Sequence, residues 1–528
     1  MKILRKINHL FRKITMLLVF ILALGMVSCN QEEMLDLVPY NQVSETVAFT
    51  SPSLIELSVL GMYNAAQIGW YGGTPRGYPF GAAFVQQGDA RGEDVVITAA
   101  FYRFTYTNTI NPAATLNNVH HWNDLFRLIN RINIIIDGVQ TAATNGVITQ
   151  AVANAYLGEA LLLRAFSYHE LLIHWARPFR HTADASHPGV PIHRNPFTTQ
   201  AAIEQGMATG RSTVRQVYDF ILEDLERAEQ YLPMRPARTG SFAVSRGTKG
   251  AAAALKARIH QHMWNMPGVI TEALKFATGG VYHAHHALAA NPWTAFVNDY
   301  TSTENIFGME SSATNNPGVN GALANMYRGR NVVVMSPILW RNPFWLADDR
   351  RRGPELIVTP WPEGRPQTNK YNDATTFTDL SPMMRLPEVF LNLAEAYARQ
   401  GDMVNGLLYL NMVRNRSLAN PAAQAYTAAS FANNLELLNA ILNERRIELA
   451  MEGRRWPDIH RLQQCPHFPI SGIPAKVAES PVPEMFTTAP IVLGQPGVPY
   501  TSHLFLWPIP QDEINSNPTL AAQQNPGW

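Results

Sequence analysis

The chain has 528 residues, of which 46% are hydrophobic, 10% aromatic and only 16% charged, against a usual charged share of about 25%. That composition can bury a large core and excludes disorder as the main state, and 42 Lys and Arg against 41 Asp and Glu lack the basic excess of a nucleic-acid binder. Two cysteines exclude a disulfide scaffold and most zinc modules.

Residues 1–28 read as a signal peptide. Lys2, Arg5, Lys6, Arg12 and Lys13 precede an apolar run from Ile14 to Val27, which ends at Ser28-Cys29. A basic start, a short apolar segment and a small residue before the cut are the marks of an export signal, and the run is shorter than the roughly 20 residues of a spanning helix. Met26-Val27-Ser28-Cys29 resembles a bacterial lipobox, with Met where Leu is usual, which implies that Cys29 becomes the lipidated first residue. The mature chain then keeps 37 basic and 41 acidic residues, a formal charge of −4. Such a body has no electrostatic reason to bind anionic membrane, so lipid and a protein partner must hold it there.

The body is patterned mainly for helices. Trp122, Phe126, Ile129, Ile132 and Ile136 mark one, with Gly138 as its stop. Further helices are predicted over 156–175, 214–232, 249–264 and 271–277, with Pro267-Gly268 ending the fourth. The clearest hairpin pairs an apolar face from Leu386 to Tyr397 with one from Leu407 to Val413 across a Gly401-Asp402 turn, the plan of a tetratricopeptide unit. The predicted fold is all-α: a right-handed stack of helical hairpins with minor short strands and long irregular loops. Those loops, 65–115, 178–210, 280–382 and 466–510, are too long for linkers and are the expected places for binding.

Several segments resemble the SusD/RagB family of Bacteroidetes nutrient-binding lipoproteins. They are Gly88 to Asp94, Trp122 to Asn133, Gly158 to Ala165, Arg385 to Tyr397, Asn443 to Trp456, and the ending from Trp507 to Trp528. Asn30, Gln31, Glu32 and Glu33 resemble the surface-export signal of Bacteroidetes lipoproteins. The resemblance divides the mature chain into an N-terminal region, 29–240, and a C-terminal region, 241–528. It implies a tetratricopeptide-like scaffold, no catalysis, and an outer-membrane location facing the cell exterior. It also implies a SusC-like TonB-dependent transporter as partner and ligands that are mostly oligo- and polysaccharides.

No constellation of catalytic or metal-binding residues stands out. His169 and His174 are five apart, about 140° around a helix, and cannot share one metal. His283, His285 and His286 have no carboxylate or cysteine close in sequence. The acidic neighbours Glu93-Asp94 and Asp348-Asp349 point to opposite faces if extended, which does not suit a glycosidase pair. Asp348 to Arg352 reads as a local ion-pair turn, and Glu444 to Arg455 as a structural charge network. Cys465 reads as an inert buried thiol. No metal or cofactor is expected.

Loop aromatics carry the functional expectation, because flat rings stack on the C–H faces of sugars while polar neighbours hold the hydroxyls. One set is Trp70, Tyr71, Tyr78, Phe101, Tyr102 and Tyr106, beside Asp89, Arg91 and Asp94. The other is Trp293, Tyr300, Tyr327, Trp340, Phe344, Trp345 and Trp361, with Asn315, Asn316 and Asn320. A glycan hydrolase and a structural lid with little ligand affinity are the alternative readings.

Overall fold

The computed structural model describes residues 45–69, 76–113, 116–297, 299–359 and 364–528. Cys29, Trp70, Tyr71 and Trp361 lie outside the described residues. Two units are distinguished, 1–55 and 56–528. Among the described residues the first holds the helical turn Glu45–Ala48 and the start of the next helix, and the second carries the core.

Helix α1 (Pro52–Ile68) leads to α2 (Ala82–Ala90), strand β1 (Val95–Ile97) and α3 (Ala100–Thr107). The long helices α4 (Leu116–Thr144) and α5 (Gln150–Trp175) come next, then α6 (Gln200–Met207), α7 (Val214–Tyr231), α8 (Lys249–His262) and α9 (Met266–Ala273). A less regular stretch holds β2 (Asn305–Met309), β3 (Val333–Met335), β4 (Ile357–Val358) and β5 (Gln367–Thr368). Strand β6 (Ser381–Arg385) runs directly into α10 (Leu386–Arg399), followed by α11 (Met403–Arg414), α12 (Asn434–Glu448), α13 (Arg455–Arg461), β7 (Lys476–Val477), β8 (Leu493–Gln495) and short C-terminal helices at Gln511–Ser516 and Pro518–Ala521. Among the described residues the strands form two-stranded antiparallel pairs: β1–β3, β2–β6, β4–β5 and β7–β8. The fold is mostly helical, as the periodicity predicts.

Local chemistry sets the helix ends. Thr149 caps α5 by accepting from the Val152 N–H, and Thr213 with Gln216 closes a capping box on α7. At the Gly401-Asp402 turn Gly401 takes φ +89°, and Asp402 caps α11 by accepting from the Asn405 N–H. Two predicted boundaries are corrected. Gly138 does not stop α4, which runs on to Thr144 and buries Val139 and Ala142; that burial outweighs the ~1 kcal/mol cost of an interior glycine. Pro267 lies in the first turn of α9, where its missing N–H has no helical partner to lose, so the helix starts at Met266 rather than 271.

Helices stack in sequence: α4 on α5, α5 on α7, α7 on α8, α8 on α9, α9 on α10, and α10 on both α11 and α12. Helix α5 is buried on every side from Leu157 to Trp175, so it is a core helix rather than an amphipathic surface one. The C-terminal segment seals its end. Trp175 Nε1 donates to the Pro508 carbonyl, the Trp507 N–H to His174, and Trp456 Nε1 to Ile173.

Inside the second half of the chain lies an ionic network. Arg385 bonds Glu452 at 2.6 and 2.7 Å, Glu304 at 2.6 Å and Glu448 at 3.2 Å. Arg416 bonds Glu304 and reaches Glu448 at 2.8 Å. Arg351 joins Glu444 at 2.6 Å, Glu448 at 3.0 Å and Asp349 at 2.8 Å. Lys370 meets Glu452 at 2.6 Å, and Arg414 lies 3.8 Å from Glu444. Arg351, Lys370, Arg385, Arg414 and Arg416 thus face Asp349, Glu304, Glu444, Glu448 and Glu452, and the charges balance. Asp349 also caps the 350–352 turn, so the expected local ion pair is present and extends into this network. Burial raises the Glu448 carboxyl, but Arg416, Arg385 and Arg351 overcome it and hold it down at about 2.

Breaking this network should be costly. Arg385→Met leaves Glu304, Glu448 and Glu452 short of a partner and should lower unfolding free energy by about 3–5 kcal/mol. Arg103→Ala at the exposed Arg103–Glu479 pair should change it by less than about 1 kcal/mol. Denaturant titration of the mature protein measures both. A pH dependence is expected from His169, His174 and His460, each held neutral by burial at about 3, whereas an unfolded histidine titrates near 6.5. A folded-state value below the unfolded one gives stability that is present above pH 6.5 and declines as pH falls toward 3. Unfolding midpoints should therefore drop already between pH 6.5 and 5, above the range where ordinary carboxylates titrate.

Candidate functional site

The Gly88–Asp94 loop proves to be a clamp. Asp89 accepts from the Gly453 N–H at 2.9 Å and from the Tyr327 hydroxyl at 2.6 Å; burial pushes its carboxyl up to about 7. The Arg91 guanidinium lies 3.4 Å from the Trp456 ring centroid and donates to the Phe505 carbonyl at 2.6 Å and to His174 Nδ1 at 2.8 Å. Glu93 pairs with Arg446 and Arg455, and Asp94 with Arg446. Burial opposes ionisation of Glu93, but these arginines hold its carboxyl down at about 2. Gly88 and Gly453 allow the approach: a Cβ on Gly88 would sit 2.1 Å from the Gly453 carbonyl oxygen.

Most of the expected ligand contacts are therefore interior. Asp89, Arg91 and Asp94 are at most 3% exposed and are engaged within the protein. Tyr78 is fully buried and donates to Asn117, while Tyr102 and Tyr327 are fully buried as well. Trp345 is 5% exposed and packs edge-on against Trp340. These positions are corrected from ligand contacts to packing, because the loops fold their rings onto the scaffold instead of displaying them. Trp293 and Trp340 are half-buried, with the guanidinium groups of Arg350 and Arg352 over their rings at 4.8 and 4.3 Å.

One cleft of about 450 Å³ lies between α1, residues 242–246 and the 309–315 stretch. Its first wall is the face of α1 that carries Leu60, Tyr63, Asn64 and Gln67, spaced i, i+3, i+4, i+7. Phe242, Ser245 and Arg246 form the second wall, and Glu310, Ser312 and Asn315 the third. Asn64 Nδ2 donates to Asn315 Oδ1 at 3.0 Å, and Gln67 Nε2 to Ser311 Oγ at 2.9 Å, tying the helix to the 310–315 loop. Close by, Arg76 Nη1 donates to the Asn320 carbonyl at 3.3 Å. Tyr63 donates to Glu159 at 2.6 Å, and Arg246 forks onto the same carboxylate at 2.8 and 2.9 Å. Burial disfavours the Arg246 charge, yet Glu159 and Glu56 keep it protonated well above neutrality. Its charge is neutralised by these partners. What faces the open volume is amide, hydroxyl, ring and the Glu310 carboxylate, which accepts from Ser245 Oγ at 2.6 Å, with Phe242 38% exposed at the rim.

The sequence reading points to Asn315, beside the second aromatic set, and misses Tyr63, Asn64, Gln67, Phe242 and Glu310. The available signal is polar Asn64 and Gln67 on the same face of α1 as Leu60, three to six residues before Trp70-Tyr71.

His121, Glu170 and His174 bring three possible metal-ligand atoms within 4.8 Å of one another. His169, the partner already excluded for His174, instead packs against the His262 ring at 4.5 Å. The triad does not fit a metal. Arg91 can only donate, so His174 Nδ1 accepts, and the His174 proton sits on Nε2, which donates to Glu170 at 3.1 Å. A cation at Nε2 would require that proton to move to Nδ1, against the guanidinium. The cluster is a hydrogen-bond relay between α4 and α5. Of the other histidines, His286 is buried beside Arg235 and Phe276. Cys465 is buried as expected.

Among the described residues no helix is long and apolar enough to cross a membrane. A family profile described as "Starch-binding associating with outer membrane" matches residues 33–260, and one described as "SusD family" matches 361–528. A SusD-like protein of Bacteroides ovatus is 22% identical over 507 residues, covering 85% of this chain and 83% of its own. The crystal structure of a SusD superfamily protein from Bacteroides fragilis superposes with a TM-score of 0.72 at 25% identity, over 89% of this chain and 99% of that one. A laminarin-binding SusD-like protein aligns with a TM-score of 0.64 at 16% identity, over 91% of this chain and 100% of its own. With the clamp, the helical stack and these matches together, the chain belongs to the SusD/RagB family.

Proposed function

We propose that the protein is a non-catalytic outer-membrane lipoprotein that captures an uncharged oligo- or polysaccharide and passes it to a SusC-like TonB-dependent transporter. The observation that carries this reading is the cleft between α1 and the 310–315 loop. Its volume lies within the usual range for ligand sites of about 300–1,000 Å³. It offers ring surface at Phe242 and amide groups at Asn64 and Asn315, and the one guanidinium lining it is already paired. Such a surface suits hydroxyls and C–H faces and gives an anion no free counter-charge. Family membership and the laminarin-binding relative support the ligand class. The signal segment and Cys29 support a lipid anchor, and exposure at the cell exterior is part of the same proposal.

Calorimetric titration with laminari- and malto-oligosaccharides tests the reading. Phe242→Ala should weaken binding about five- to tenfold, the scale of one stacking contact. Asn64→Ala combined with Asn315→Ala should weaken it further. Unchanged affinity in both variants, or release of shorter sugars by the wild-type protein, would refute the proposal. The anchor has its own check: Cys29→Ser should move the protein from the membrane fraction to the soluble one.

A further inference from the structure

A second groove lies between the 192–197 segment, α6 and the outward face of α7, and it shares no lining residue with the α1 cleft. Its main lobe has a volume of about 550 Å³. A smaller lobe of about 180 Å³ shares His193, Phe197 and Gly206 with it and reaches in to Trp122 and Glu513.

The groove is built around a ladder of half-buried rings. Phe126 meets His193 edge-on at 5.6 Å, and His193 meets Phe197 edge-on at 5.0 Å. Burial keeps His193 neutral by lowering it to about 4. Arg194 pairs with Glu223 at 3.0 Å and lies over the Phe220 ring at 4.2 Å, so its charge is matched. Asp219 then leaves the groove with an excess of negative charge, which disfavours anionic ligands. Asn195, Gln205 and Ser212 supply amide and hydroxyl groups around the rings. The cover is thin: no residue of α6 is buried, and Ile203 and Met207 are 40% and 45% exposed. Gly206 brings α6 down onto the ring ladder, since a Cβ there would lie 2.6 Å from Phe197 Cε1.

We infer that this groove is a second binding site for an uncharged saccharide chain, with Phe197 and His193 as its stacking surface and α6 as its outer wall. Neutral rings beside amides and hydroxyls match alternating C–H faces and hydroxyls. An extended peptide would instead look for unpaired backbone groups or a continuous apolar trough. The choice of a sugar probe rests on the proposed function, but the site is separate and can fail separately.

The test is calorimetry of the mature protein with laminarihexaose, maltohexaose and cellohexaose. It compares wild type, the Asn64→Ala and Asn315→Ala double variant, Phe197→Ala, and Gln205→Trp, which fills the groove from an exposed helix position and does not perturb the core. The inference expects two sets of sites in wild type, one weakened in the Asn64/Asn315 variant and the other weakened about tenfold or more in Phe197→Ala and Gln205→Trp. Binding abolished in the Asn64/Asn315 variant and unchanged in Gln205→Trp overturns the second site and leaves the first reading intact. The reverse pattern supports this site and overturns the first. No binding of any hexaose overturns both, and capture of an unstructured peptide without any hexaose overturns the ligand class.

Discussion

Ten charged side chains largely shielded from water must balance one another, and this requirement organises the C-terminal half of the molecule. Glu448 is the pivot. It stands at the end of α12 and is bonded by Arg351, Arg385 and Arg416, which come from three separate stretches of chain. A buried ion pair adds little net stability over a hydrophobic substitute, but leaving one member unpaired is costly. The network therefore selects one arrangement of β6, α12 and the 349–370 segment against alternatives. Any other register would strand a charge in the interior.

The same logic fastens the N-terminal helices to the C-terminal ones. Glu93 and Asp94 meet Arg446 and Arg455 across more than 350 residues of sequence, and Arg91 slides between Trp456 and Trp507. The end of α1 and the 310–315 loop lie outside this ionic interior and are joined by amide and hydroxyl hydrogen bonds. Their amide-rich surface contrasts with the dense ion pairing beneath it.

The helical scaffold is legible in the sequence because its punctuation is local. Thr149, Thr213 with Gln216, and Gly401-Asp402 each act within four residues; the last two mark boundaries where expected, while Thr149 starts α5 six residues ahead of the predicted 156. Pro267 misleads because a proline both ends helices and opens them, and the choice depends on the Asn265 cap beside it. Asp89, Arg91 and Asp94 mislead for a different reason. A charged loop looks solvent-exposed until its partners are known, and those partners lie in a distant motif that itself reads correctly as a structural network. The aromatic loops are long and structured, as their composition suggests, but rings such as Tyr78 and Tyr327 turn inward, a direction that residue type alone does not reveal.

An uncharged glycan held between α1 and the 310–315 loop would shield the backbone on both sides of the cleft. Hydrogen–deuterium exchange of the mature protein, with and without a saturating neutral oligosaccharide, reads that shielding segment by segment. Peptides spanning 60–67 and 309–316 should gain protection when the ligand is present, while the clamp at 88–94 stays unchanged. Saturable binding that leaves both cleft segments unprotected would place the glycan elsewhere and refute the assignment.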